Sequence, residues 1–174
     1  TFLDNVRVEK SQVVGEINAG WTIAKYLLTH EREMIGGMGR TASGQKTLAQ
    51  IAVECIGLDG GKLADDMLRG EIAHWDLDAK AFELTAERVV DEAKAGQGVG
   101  AASAMLKYYG TELNKRRQEL LVALHGSDGL VWEGEAHREG AIARNWLRSK
   151  GNSIEGGTSE VQLNVISRNI LGLQ

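Results

Sequence analysis

A glutamate sits where an amphipathic pattern calls for a hydrocarbon. From Trp21, apolar residues recur at Ala24, Leu27, Leu28, Met34, Ile35 and Met38, the spacing of one helical face. Glu31 follows Leu28 and Leu27 by one turn and precedes Met34 and Ile35 by another, so it falls on the same stripe. A carboxylate there is costly unless paired, solvated or protonated. Burial also raises its pKa and makes it a better base near neutrality. Two readings stay open on the pattern alone: a core glutamate hydrogen-bonded to a buried Arg, Tyr or Trp, or a functional proton acceptor. His30, Arg32 and Glu33 point elsewhere around the helix, as ordinary surface charges do.

The second candidate is the run Gly156-Gly157-Thr158-Ser159-Glu160-Val161-Gln162. A Gly-Gly turn leads into Ser159, and Ser159-x-x-Gln162 has the form of a capping box. Val161, Val165, Ile166 and Ile170 then predict one apolar helical face, closed by Gly172. A helix N-terminus behind flexible backbone suits an anion, since exposed N–H groups and the dipole face the same way. Capped terminal helices are common, however, and most are only structural.

Other chemistry is weakly signalled. His30, His74, His125 and His137 show no ligand spacing with Cys55 or each other, so no metal site is expected. Gly37-Met38-Gly39-Arg40-Thr41-Ala42 fits a dinucleotide-loop outline but follows a helical pattern rather than a strand, which makes the match accidental. Trp75, Trp132 and Trp146 read as core or interface residues. The formal charge of −4, with signs interspersed, gives no reason to expect nucleic acid. The single cysteine excludes an internal disulfide and fits a reducing, cytoplasmic setting. No apolar run approaches membrane-spanning length.

The elements that must position these residues are helices. The chain of 174 residues has no proline, few aromatics and much Ala, Leu and Glu. Residues 2–8 predict a short strand or extended segment, followed by a loop to Gly20. After the helix from Trp21, helical pattern resumes through Leu48, Ile51, Ala52 and Cys55 to Gly57, with a turn at Gly60-Gly61. Leu63 to Ala95 predicts a long helix, broken at residues 96–100. Another runs from Ala101 to His125, with Met105, Tyr109, Leu113, Leu120 and Leu124 facing inward. Residues 126–134 form a connection, and Ala136 to Lys150 a shorter helix. Long amphipathic helices with short loops predict an all-α antiparallel bundle, four-helix-bundle-like with extra short C-terminal helices.

Three separated stretches carry a more specific message. Gly-Gly-Thr-Ser-Glu-Val-Gln at 156–162, running on to Leu171-Gly172-Leu173, resembles the C-terminal signature of acyl-CoA dehydrogenases. Phe2-Leu3-Asp4-Asn5-Val6-Arg7-Val8 and Val14-Gly15-Glu16-Ile17-Asn18-Ala19-Gly20-Trp21 are similar to that family's passage from its middle β domain into its C-terminal helical domain. Ala104-Met105-Leu106-Lys107-Tyr108-Tyr109-Gly110-Thr111-Glu112 is similar to a helix of bacterial members, including large subunits of two-subunit enzymes. The resemblance implies that residues 1–20 are the end of the β domain and a linker, and residues 21–174 a flavin- and acyl-CoA-binding helical domain. It further implies FAD as cofactor, an acyl-CoA substrate, an electron-transfer flavoprotein as acceptor, and a homo- or hetero-oligomer formed through the helical domain. Without the family's other domains the stretch is expected to be inactive.

The resemblance also distributes roles. Many members carry the catalytic glutamate immediately before the Gly-Thr-Ser of this motif, where this chain has Gly156. A minority place it on the first helix of the domain, just before an Arg, which matches Glu31 followed by Arg32. Glu31 is therefore the expected base, Arg32 its orienting neighbour, and the Gly156 N–H a donor to the thioester carbonyl. Gly157, Thr158 and Glu160 match positions near the flavin nucleotide, although Gln is commoner than Glu at the last. Glu155 is displaced by one residue from the usual base position and is expected to point away. The family's Arg-Phe pair after the first helices is missing from residues 55–60, and its Gln and second Gly are missing from residues 123–129. Reduced FAD contacts across subunits are what one member of a heteromer would show. The alternatives are a non-catalytic partner subunit completing a sister chain's FAD site, or an acyl-CoA oxidase or flavin monooxygenase on the same scaffold.

Overall fold

The computed structural model describes residues 2–27, 46–97 and 100–173. Within them the fold is a helical bundle, as the composition and periodicity require. Residues 20–27 are helical up to the edge of the described segment. Helix α1 spans Leu48–Ile56 and starts with a capping box in which Thr47 and Gln50 satisfy each other's backbone N–H groups. Strands β1 (Leu58–Asp59) and β2 (Lys62–Leu63) form a small antiparallel hairpin. Its turn, Gly60-Gly61, has φ of 55° and 79°, the pair of positive values that a tight two-residue hairpin demands.

Four more helices follow: α2 (Asp66–Lys94), α3 (Ala102–His125), α4 (Ala141–Asn152) and α5 (Ser159–Asn169). Helix α3 is the hub, packing on α1, α2, α4 and α5. Leu113, Leu120 and Leu124 from α3 join Leu48 and Ala52 from α1 and Ile72, Trp75 and Phe82 from α2 in one apolar core. The Trp75 indole is buried there and donates to the Leu113 carbonyl at 2.9 Å, so its one polar atom is satisfied.

Several expectations shift. Residues 2–8 are exposed and join no ladder among the described residues; an alternating pattern is no strand without a neighbour to accept its hydrogen bonds. Helix α2 begins at Asp66 rather than Leu63, because Lys62 and Leu63 belong to the hairpin and Asp65 caps the Leu68 N–H. The helix expected from Ala136 starts only at Ala141. A 3-10 turn at Glu135–His137 precedes it, and Arg138, Glu139 and Gly140 all have positive φ, which no α-helix tolerates. The inner face of α3 also differs in its first half. Tyr109 is exposed and Met105 half-buried, while Ser103, Lys107, Gly110 and Thr111 are buried.

Candidate functional site

The turn at 153–158 lies between α4 and α5 and rests on the first half of α3. Thr158, not Ser159, is the N-cap of α5: its hydroxyl accepts from the Val161 N–H at 3.4 Å. Ser159 is the first helical residue, and its hydroxyl donates to Glu112 at 3.3 Å. The expected Ser159–Gln162 capping box is therefore not formed. Gln162 is instead buried to 1% exposure, and its Nε2 donates to the Gly156 carbonyl at 2.8 Å. The helix face differs accordingly. Val161 and Ile170 are exposed, Val165 and Ile166 are half-buried, and the side chain sealed inside is the polar one.

Lys107 is the residue that sequence reasoning passed over. It is completely enclosed, at 0% exposure, and its ammonium donates to the carbonyls of Gly157 at 2.6 Å and Ser153 at 3.2 Å. Burial pushes it below the ordinary lysine range, while Glu112, Glu155 and Glu160 push back and Lys115 adds to the lowering. A lysine in the middle of a helix reads as a solvated charge, and nothing local marks this one as different. Only the seating of the turn on α3 encloses it.

Gly157 is as sterically constrained as any position in the site. Its φ is +99°, and a Cβ placed there would sit 2.6 Å from the Gln162 Nε2. The N–H groups of Gly156, Gly157 and Thr158 make no hydrogen bond among the described residues. The Glu155 side chain turns to Arg148 and Asn152 of α4. Its carboxylate lies 2.8 Å from Arg148 and accepts from Asn152 at 3.2 Å, and the Arg148 bond leads in holding its pKa down. It is thus tied up as an ion pair rather than free to act as a base. The Glu160 carboxylate is also held low, first by its own amide N–H and then by the Thr158 hydroxyl.

A cleft of about 380 Å³ opens beside this turn, lined by Tyr108 and Lys115 from α3, Ser153 and Thr158 from the turn, and Glu160 and Leu163 from α5. Toward a flavin nucleotide its lining offers the Thr158 N–H, which makes no hydrogen bond among the described residues, and the Lys115 ammonium, already paired with Glu112 at 2.7 Å. Glu160 limits how such a group would lie. An ionised carboxylate only accepts hydrogen bonds, so it suits hydroxyl or amino groups of the nucleotide and repels its phosphates.

The remaining expected residues divide in two. Glu31, Arg32 and the residue 37–42 glycine stretch lie outside the described residues. The two stretches that depart from the family pattern do meet. The Cys55 Sγ lies 3.7 Å from the His125 Nε2, and the His125 Nδ1 is 2.8 Å from the Leu121 carbonyl. Burial, followed by Glu54, raises the Cys55 thiol, so it stays protonated near neutrality. No group of three or more metal-ligating side chains occurs among the described residues, and no described helix is long and apolar enough to cross a membrane.

Comparison with known proteins gives this architecture its family. Residues 18–171 match the acyl-CoA dehydrogenase C-terminal domain. The chain belongs to the acyl-CoA dehydrogenase family. It is 30% identical over 172 residues to acyl-CoA dehydrogenase FadE34 of Mycobacterium tuberculosis, a match covering 99% of this chain and 22% of that protein. Acyl-CoA dehydrogenase IpdE1 of Mycolicibacterium smegmatis is 27% identical over 174 residues, with 99% and 41% covered. Among solved structures, the Tcur3481-Tcur3483 steroid ACAD superposes with a TM-score of 0.78 at 25% identity, over 99% of this chain and 44% of that one. The chain thus spans less than half the length of these relatives.

Proposed function

We propose that this chain is the C-terminal domain of an FAD-dependent acyl-CoA dehydrogenase that introduces a double bond between the α and β carbons of an acyl-CoA thioester. The observation that carries this reading is the turn at Gly156-Gly157. It combines amides that make no hydrogen bond among the described residues with a glycine at the position where much of the family has its base. Glu31 is then the base that takes the α-proton, and Arg32 orients it or favours its ionised form. The Gly156 N–H donates to the thioester carbonyl, where negative charge grows as the α-proton leaves. Gly157, Thr158 and Glu160 border the flavin nucleotide. FAD, when bound, supplies the acceptor for the hydride that leaves the β-carbon. Residues 1–20 are the end of the preceding β domain and its linker, and the electrons pass on to an electron-transfer flavoprotein in the cytoplasm.

The subunits associate through the helical domain, as homo- or hetero-oligomers. The absence of the family's cross-subunit FAD residues from residues 55–60 and 123–129 favours a heteromer. The double designation of the Tcur3481-Tcur3483 relative supports the same view. In that case this chain is either the catalytic member or a partner completing a sister site. Glu31→Gln in the intact enzyme distinguishes the two. The variant is expected to keep FAD and bind acyl-CoA but fail to bleach the flavin on mixing. Flavin reduction at the wild-type rate would remove Glu31 from the mechanism and favour the partner role. A panel of straight-chain, branched and steroid side-chain acyl-CoA thioesters, read by the same bleaching, identifies the substrate class.

A further inference from the structure

A fully enclosed ammonium is expensive, and an apolar side chain in the same channel would avoid the loss of hydration. Lys107 therefore calls for an explanation other than net stability, and its two acceptors supply one. A peptide unit is planar and trans, so the carbonyl of one residue and the N–H of the next point to opposite sides. The Lys107 grip on the Gly157 carbonyl turns the Thr158 N–H away from α3. The Gln162 amide on the Gly156 carbonyl likewise turns the Gly157 N–H away from the interior. At the other end of the turn, Lys107 holds the Ser153 carbonyl, and Glu155 is pinned by Arg148. Carbonyls are thus drawn inward onto two buried donors, while the Gly157 and Thr158 amides turn outward and make no hydrogen bond among the described residues.

We propose that Lys107 is a positioning residue that, with Gln162, fixes the direction of the Gly157 and Thr158 amides and so holds the turn from which the Gly156 N–H reaches the negatively polarised oxygen of the bound thioester. This role rests on the function proposed above. The acidic groups Glu112, Glu155 and Glu160 surround the ammonium, with Lys115 as the other cation. The mixed surroundings make its directed bonds, rather than a net field, the basis of its action.

The test is backbone hydrogen exchange on the intact enzyme, wild type against Lys107→Met and Gln162→Met. Losing a charged hydrogen bond is expected to speed exchange at the bonded amides of the turn, Ile154, Glu155 and Ser159, by about 10- to 100-fold in Lys107→Met. Exchange in α2 stays unchanged. Gln162→Met gives a smaller acceleration confined to the same residues. Flavin reduction at saturating acyl-CoA slows in both, with flavin content retained. Should Lys107→Met not fold, Lys107→Gln, with a neutral donor on a shorter stem, is judged by the same pattern. Unchanged exchange in the turn overturns the proposal, as does acceleration spread through α2 and α3, which would mark Lys107 as ordinary packing. A loosened turn with an unaltered flavin-reduction rate overturns it as well. Exchange needs neither flavin nor substrate, so it reads separately from the function. A wild-type enzyme that acyl-CoA cannot reduce would sink the functional reading and leave the anchoring of the turn intact.

Discussion

The two halves of α3 have opposite interiors. Its second half buries Leu113, Leu120 and Leu124 against Trp75 and the apolar faces of α1 and α2. Its first half buries the polar Ser103, Lys107 and Thr111 beside the small Ala104 and Gly110, and on it sits a turn of irregular backbone. Apolar burial is non-directional and scales with area, so the second half contributes stability wherever shapes fit. Hydrogen bonds to carbonyls are directional and contribute only about 0.5–3 kcal/mol net each, so what the first half chiefly does is fix geometry. The lesson is a division of labour along one helix: one half holds the bundle together, and the other holds the turn in shape.

The comparison is most sharply tested where the energies are largest. Trp75→Ala removes a buried indole and its bond to Leu113, and is expected to cost about 3–5 kcal/mol in denaturant unfolding. Gly157→Ala strikes the other half. With φ at +99° and a Cβ 2.6 Å from Gln162, the strain is expected to cost about 1–3 kcal/mol. Its effect on flavin reduction should nevertheless exceed that of Trp75→Ala in whatever folded enzyme remains. If Gly157→Ala instead proves the more destabilising and the less damaging to flavin reduction, the division of labour is wrong. Thr158→Ala comes last. A cap bond of 3.4 Å is long, so the loss should fall near the lower end of about 0.5–2 kcal/mol, read as a small shift in unfolding midpoint.

Legibility followed the same division. Helices α1, α2 and α3 were readable because an apolar stripe repeats every turn and Gly or a cap marks each end; their ends moved by only a few residues. The α3 face was legible at Leu113, Leu120 and Leu124, where burial and hydrophobicity coincide. It was misread at Tyr109, and Lys107 was passed over, because an exposed aromatic and a buried cation invert the rule that the periodicity relies on. Ser159-x-x-Gln162 satisfied the spacing of a capping box, yet Thr158 offered an equivalent hydroxyl one residue earlier. Gln162 then found a better partner in the Gly156 carbonyl.

The order of residues alone thus determined the helical class and the family, because periodicity and motif are properties of neighbours along the chain. Tertiary packing alone decided that Lys107 is enclosed, that Gln162 points inward, that Glu155 is captured by Arg148, and that Cys55 meets His125. Each of these depends on a partner distant in sequence or on a backbone direction. Burial and hydrogen-bond direction are fixed only when separate segments come together, and a linear pattern holds neither.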